Sequence, residues 1–166
     1  MRFDRFGFVP QLIQARWEFG KLASEEVPPF AQNALELGYD GKYTRRIAGL
    51  TQPTNSDLQP LMPRFLAELG INKPTSRENA AFVLARYVAQ GIIDGRVQPY
   101  EGARFISREI ADELGQNLPD ELIPFIGYAS DYEDCVSYSG DPADRRGKID
   151  RDIIENARIL VTALAR

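Results

Sequence analysis

Apolar residues recur along this chain at the three- and four-residue spacing of an α-helix. No stretch alternates apolar and polar residues for long enough to predict a strand. Three predicted helices end in the same tripeptide, Glu-Leu-Gly, whose glycines are Gly38, Gly70 and Gly115. Glycine takes up the left-handed conformation that commonly ends a helix. The pattern therefore predicts an all-α protein.

We expect about eight helices in a single-domain bundle that covers residues 1–166. Their expected ranges are 10–23, 28–37, 42–49, 56–69, 75–91, 99–114, 120–134 and 148–165. Pro60 and Pro63 should delay or kink the fourth helix, because proline lacks a backbone N–H. The fifth starts at the capping-box pair Thr75 and Glu78 and is apolar almost all round. We therefore expect it at the centre of the core.

A short helical-hairpin solenoid is the alternative fold, because stacked helix pairs produce similar local signals. The segments 28–40 and 60–72 align at an offset of 32 residues. The third Glu-Leu-Gly lies 45 residues further on, and the residues between do not match. The bundle is therefore the first expectation.

Histidine is absent and there is one cysteine, Cys135. This composition excludes nucleophiles activated by imidazole, zinc sites of the Cys/His type and internal disulfides. Phosphate-binding GxGxxG, the nucleophile motif GxSxG and an EF-hand calcium loop are also missing. Cys135 lies among acids, which disfavour a thiolate, so we expect it to be inert. The sequence thus favours a protein without a cofactor and without enzymatic activity.

The formal net charge is −4 and the estimated pI is about 5.0. A deficit of cations argues against nucleic-acid binding, which depends on basic contacts to phosphate. Asp4 and Arg5 interrupt the N-terminus, and no signal-peptide core follows. The longest apolar run, Ala80 to Ala85, is too short for a membrane span. We therefore expect a cytoplasmic protein that contacts neither nucleic acid nor membrane.

The negative charge is concentrated near the C-terminus. The segment 109–144 contains ten acids and neither lysine nor arginine. The acids are Glu109, Asp112, Glu113, Asp120, Glu121, Asp131, Glu133, Asp134, Asp141 and Asp144. Tyr128, Tyr132 and Tyr138 lie among them.

Tyrosines beside carboxylates suit a surface that docks a cationic protein. The first functional hypothesis is therefore a protein-binding module with an acidic face, of the immunity-protein or antitoxin kind. Its contact residues would be Tyr128, Asp131, Tyr132, Glu133, Asp134 and Tyr138. For each tyrosine, the competing interpretation is a half-buried ring with its hydroxyl in water.

The alternative function uses three of the same residues. Asp131, Glu133 and Asp134 could bind Mg²⁺ or act as general acid and base in a metal-dependent hydrolase. The competing interpretation is a solvated helix end beside a polar loop over 135–147. That loop is long enough to be functional or simply mobile. The basic cluster at 145–148 would balance nearby aspartates.

Several turn and cap segments resemble those of small bacterial all-helical proteins of unknown function. They are Gly38-Tyr39-Asp40, Ile47-Ala48-Gly49-Leu50, Ile92-Ile93-Asp94-Gly95, Pro99-Tyr100-Glu101-Gly102-Ala103 and residues 129–134. The resemblance covers roughly residues 28–134. It implies a helical fold and supplies no catalytic residue. Proteins of this size and composition include immunity proteins and antitoxins, which is an analogy of class.

Overall fold

The computed structural model describes residues 6–135 and 142–163 of the chain, with the side chains of the last helix from Asp144 onward. Within these ranges the protein has nine helices and no strand, so the predicted all-α class is confirmed. The helices are α1 (Pro10–Glu18), α2 (Val27–Glu36), α3 (Lys42–Ala48), α4 (Asn55–Leu58), α5 (Met62–Glu68), α6 (Arg77–Ile93), α7 (beginning as Pro99–Phe105), α8 (Ile123–Asp134) and α9 (Pro142–Ala163). Short 3-10 turns cover Ser24–Glu26, Gly115–Asn117 and Asp120–Leu122.

The chain divides into two compact units. The first unit is Gly7–Ala80, and the second unit consists of Met1–Phe6 and Ala81–Arg166. Each unit has its own buried apolar side chains. That the whole chain behaves as one domain stays a prediction.

Helices α2 and α3 pack together in the first unit, and α3 packs on α5. The core side chains come from every helix between α1 and α5, with Val27, Ile47, Met62 and Phe65 fully buried. Proline opens both α2 and α5, where the first-turn N–H would have no intrahelical partner in any case. The core of the first unit is thus formed by short helices, two of which have proline in their first turn.

A carboxylate from α5 caps α3. Glu68 accepts hydrogen bonds from the backbone N–H groups of Tyr43 at 3.0 Å and Thr44 at 2.8 Å, and from the Thr44 hydroxyl at 2.9 Å. Gly41 is the N-cap residue of α3, and a Cβ there would overlap the Glu68 carboxylate. Glycine at position 41 therefore makes room for the group that satisfies the exposed end of α3.

The second unit is built from α6 residues after Ala80 together with α7, α8 and α9, of which the last three pack on one another. Helix α6 contributes fully buried residues at helical spacing: Ala81, Leu84, Ala85, Val88 and Ala89. Gly102 on α7 lies against α6, because a Cβ there would lie 2.5 Å from Ile92 Cδ1 and 3.3 Å from Val88 Cγ1. The missing side chain at position 102 therefore allows α7 to approach α6 closely.

Helix α7 changes its winding along its length. After Pro99–Phe105 it continues as a π-helix over Ile106–Ala111 and ends with one α turn over Asp112–Leu114. The wider turn buries Ile106, Ser107, Ile110 and Ala111. The sequence predicted a helix over these residues but not the π segment, which is uncommon and often lies at functional sites.

The predicted boundaries of α1, of the fourth helix and of α6 are wrong. Helix α1 ends at Glu18 instead of Ala23, because Gly20 follows in the left-handed region with φ of 73°. Pro60 and Pro63 interrupt the predicted fourth helix, as expected, but they divide it into two helices, α4 and α5. Thr54 caps α4 instead of Ser56. At the start of α6, Ser76 Oγ and not Thr75 accepts the cap hydrogen bond, from Asn79 N–H.

The last helix is longer than predicted. The expected loop over 135–147 and the helix start at Lys148 are wrong for residues 142–147, because α9 already begins at Pro142. Proline is favoured at a first helical position. Residues 136–141 of the expected loop lie outside the described residues. In the two described ranges, no helix combines the length and apolar character required to cross a bilayer.

Candidate protein-binding surface

Tyr132, one of the predicted contact residues, lies where α7, α8 and α9 meet. Its ring stacks on Tyr100 of α7, with centroids 4.2 Å apart and planes inclined by 10°. The guanidinium of Arg146 on α9 lies 5.2 Å from the centroid of the Tyr132 ring. Both contacts are favourable, the first as an aromatic stack and the second as a cation–π interaction. Tyr132 is half-buried by this arrangement and joins three helices.

Glu133, the next residue, also bonds to α7. Its carboxylate accepts a hydrogen bond from the Tyr100 hydroxyl at 3.1 Å and another from Arg108 Nη2 at 3.4 Å. Burial raises the pKa of Tyr100, and the adjacent Glu133 carboxylate adds to the rise. The Arg108–Glu133 pair is partly exposed, so it contributes little to stability. Glu133 therefore has partners inside the protein.

Tyr128 lies one turn before Tyr132 and faces α9. Its hydroxyl accepts a hydrogen bond from Asn156 Nδ2 at 2.8 Å, and the same amide donates to the Asp152 carbonyl at 3.0 Å. The ring is half-buried. This is the arrangement expected of an amphipathic side chain with an apolar body and a hydrogen-bonded tip.

Asp131 and Asp134 differ from their neighbours. Both are exposed, and neither carboxylate has a hydrogen bond or an ion pair within the described part of the chain. They are three residues apart, so they lie on one face of α8 near its C-terminal end. The last turn of α8 contains no basic residue. Two free carboxylates therefore stand at the end of the helix where the macrodipole is negative, which is electrostatically unfavourable.

The structure thus separates the predicted contact residues into groups. Tyr128, Tyr132 and Glu133 contact α7 or α9, whereas Asp131 and Asp134 face solvent. Tyr138 lies outside the described residues. All nine described acids of the 109–144 stretch are exposed; Asp141 lies outside the described residues.

Three residues of this surface were missed from the sequence: Tyr100, Arg108 and Arg146. The spacing of eight between Tyr100 and Arg108 places both on one helix face over two turns, and this signal was available. What it did not indicate is that this face meets α8. Arg146 was placed in a loop, so its position over Tyr132 could not be anticipated.

The metal-dependent alternative has no supporting site in the described residues. No group of three or more Asp, Glu or Cys side chains in that part of the chain is arranged to bind a metal ion. Cys135 is buried, and its thiol donates to the Asp131 carbonyl at 3.2 Å. Glu133 is engaged by Tyr100 and Arg108, as described above.

Comparisons with protein-family models, with curated proteins and with solved structures find no match for this chain. The function is therefore inferred from the residues of this surface alone. The resemblance to small bacterial helical proteins stays a prediction.

Proposed function

We propose that this protein is a non-enzymatic binding module whose exposed α8 end docks a basic protein. The observation that carries the proposal is the pair Asp131 and Asp134, exposed and without a cationic partner in the described part of the chain, at the C-terminal end of a helix. A lysine or arginine of the partner would relieve both the repulsion between these carboxylates and their unfavourable interaction with the helix dipole.

The surrounding charge supports the same partner class. The nine described acids of the 109–144 stretch are all exposed, so they add to a negative potential over the second unit. Such a potential raises the association rate with a cationic protein and opposes the approach of nucleic acid. Asp131 and Asp134 bond to nothing within the described fold, so both carboxylates remain available to the cations of a partner.

The structure of the surface also favours docking over chemistry. The stack of Tyr132 on Tyr100 holds α8 against α7, and the hydrogen bond from Asn156 to Tyr128 holds α8 against α9. A pre-ordered surface loses less conformational entropy on binding. The partner class that we name is a basic toxin, which the chain would neutralise as an immunity protein or antitoxin does. A toxin is named because proteins of this size and composition include immunity proteins and antitoxins.

A salt-dependent capture experiment tests the proposal. The immobilised protein is exposed to a lysate of the producing cells at low salt, and bound proteins are eluted by raising the salt. We expect a basic protein that is retained at low salt and released at high salt, because exposed charges are screened. Its dissociation constant is then measured with the purified pair at several salt concentrations.

Two double variants localise the contact. Asp131→Asn with Asp134→Asn should weaken binding at least tenfold and flatten its dependence on salt. Glu25→Gln with Glu36→Gln removes the same charge from exposed positions in the first unit and should leave binding within about twofold. Equal affinity for the two variants, or no basic protein retained at low salt, would overturn the proposal.

A further inference from the structure

A second candidate site is formed by residues of the first unit and shares none with the surface that the proposed function uses. A cleft of about 760 Å³ runs between the end of α1 and the start of α4. This volume lies within the range of roughly 300–1,000 Å³ that is usual for ligand sites. Its lining includes Trp17, Glu18, Asn55, Ser56 and Gln59. Trp17 is the only tryptophan of the chain.

The α1 wall of the cleft is held firmly. Arg16, which precedes Trp17, is buried at 3% exposure and forms an ion pair with Glu26 at 2.6 Å. Arg16 Nε also donates to the Lys21 carbonyl at 3.1 Å. Trp17 itself is half-buried and packs against the core of the first unit. Part of the indole therefore contacts the core, while the rest of its surface stays accessible to a ligand.

The opposite wall is the short helix α4, which is fixed by its own capping box. The Thr54 hydroxyl accepts from Asp57 N–H at 3.3 Å, and the Asp57 carboxylate accepts from Thr54 N–H at 2.9 Å. This cap sets the positions of Asn55, Ser56 and Gln59. All three are exposed, and their side chains have no hydrogen-bond partner in the described part of the chain.

The chemistry of the lining defines the ligand class. Two amides and a hydroxyl can each donate and accept, and the Glu18 carboxylate can accept. Glu18 is the one charged side chain among the described residues that line the cleft, so phosphates and other anions are disfavoured. An aromatic face beside several neutral donors and acceptors suits the alternating apolar faces and hydroxyl edges of a sugar ring.

The exposure of the walls indicates an extended ligand. Glu18, Asn55, Ser56 and Gln59 are all exposed, so the cleft is open to solvent along its length. A smaller cleft of about 250 Å³ shares Trp17 and Glu18 with it and is also lined by Lys73. The charges of Glu18 and Lys73 are opposite, so the two clefts together suit a neutral ligand. We propose that these adjoining clefts bind a neutral oligosaccharide, with one sugar ring on Trp17 and its hydroxyls hydrogen-bonded by Asn55 and Gln59.

Trp17 fluorescence tests this directly, since the chain contains no other tryptophan. The full-length protein is titrated separately with cellohexaose, xylohexaose, maltohexaose and chitohexaose, with inorganic phosphate and choline as probes of other chemistry. We expect a saturable change in Trp17 emission with at least one hexasaccharide and none with phosphate or choline. Calorimetric titration of the same probes detects binding that leaves the emission unchanged.

Matched variants locate the site while Trp17 is retained as the reporter. Asn55→Ala with Gln59→Ala should weaken oligosaccharide binding at least tenfold, because two hydrogen-bonding groups are removed. Gln11→Ala with Asn33→Ala removes the same groups from exposed positions of the first unit outside the cleft and should bind as the unchanged protein does. Circular dichroism checks that both variants are folded.

The outcomes separate this inference from the proposed function, which uses a different unit and a different probe. Saturable hexasaccharide binding that the cleft variant loses and the control variant keeps would support the inference. No binding of any hexasaccharide by fluorescence or calorimetry would overturn it. Binding of choline or phosphate in place of the sugars, or equal affinity in both variants, would overturn it as well.

Discussion

The ring of Tyr132 on α8 lies flat on the ring of Tyr100 on α7, with centroids 4.2 Å apart. The two residues are 32 positions apart in the sequence. Since Arg146 of α9 lies over the Tyr132 ring as well, one side chain connects three helices of the second unit. Tyr132 therefore contributes to the stability of the second unit, whereas Asp131 and Asp134 are the residues proposed to bind a partner. Mutations at these positions can therefore test stability and binding separately.

The first prediction concerns this stack. Tyr132→Ala should lower the free energy of unfolding of the second unit by about 2 kcal/mol, because the stack and the cation–π contact are lost with the buried ring area. Tyr132→Phe keeps the ring and should cost less than about 0.5 kcal/mol. Urea unfolding followed by circular dichroism measures both. Equal losses for the two variants would contradict an effect carried by the ring.

The second prediction concerns pH and Glu68. Burial raises the pKa of this carboxyl, but the hydrogen bonds from Tyr43 and Thr44 outweigh burial and hold the pKa below its ordinary value of 4.5. A depressed folded-state pKa stabilises the protein above the unfolded pKa, and this contribution is lost as pH falls through the folded pKa. Glu68→Gln should therefore cost about 1–2 kcal/mol at pH 7 and progressively less below about pH 4.5.

Trp17 emission during urea unfolding follows this effect, because Trp17 and Glu68 belong to the same unit. Gly41→Ala should produce a similar loss, since its Cβ would displace the Glu68 carboxylate from α3. The double variant should be little worse than either single variant, because both remove the same cap. Additive losses would show that the two residues act separately.

The helices of this fold could largely be predicted from the sequence, because their signals are local. Proline in the first turn and glycine after the last turn mark both ends of α2 within one residue. Glycine after the last turn marks the ends of α3 and α5 equally closely. The predicted start of α4 was wrong because Thr54 and Ser56 can both cap a helix. The backbone geometry selects Thr54, and the sequence does not show that geometry. The predicted start of α9 was wrong because the small and charged residues after Pro142 have the composition of a loop.

The site could be predicted only in part, because periodicity shows which residues share a helix face and not what that face contacts. Asp131 and Asp134 share a face at a spacing of three, and the structure exposes both. Glu133 was grouped with them, yet it bonds to Tyr100, which is 33 residues away. The Trp17 cleft was missed for the same reason: Trp17 has the spacing of a core residue, and its polar neighbours come from another helix.

A third prediction concerns Asp150, which is on the same helix as Arg146 and one turn later. Its Oδ1 is buried and has no hydrogen-bond partner in the described part of the chain. Burial raises the pKa of this carboxyl above 3.8. The folded state therefore holds the proton more tightly than the unfolded state, so stability falls as pH rises from about 3.8 through the folded pKa.

Asp150→Asn removes the charge and nearly preserves the shape. It should raise the free energy of unfolding at pH 7 by about 1 kcal/mol, because a buried oxygen without a partner is costly when it is ionised. The gain should disappear near pH 3, where the aspartic acid is protonated in both states. Unfolding curves at the two pH values check this, and a gain of equal size at both would contradict the titration of Asp150.

The last prediction concerns the close approach of α7 to α6 at Gly102. A Cβ on residue 102 would lie 2.5 Å from Ile92 Cδ1 and 2.7 Å from Ile92 Cγ1, so the helices would have to shift or Ile92 would have to leave its rotamer. Gly102→Ala should therefore lower the free energy of unfolding by about 2 kcal/mol, although alanine favours a helix more than glycine does. A double variant tests this explanation. Combining Gly102→Ala with Ile92→Ala removes Cγ1 and Cδ1 of Ile92, the two carbons that the new Cβ would overlap. The double variant should lose less than the sum of the two single losses, as measured by urea unfolding, because the methyl group added at position 102 fills part of the space that Ile92 leaves. Losses that add, or a Gly102→Ala variant that is more stable than the unchanged protein, would show that α7 can move away from α6 at little cost.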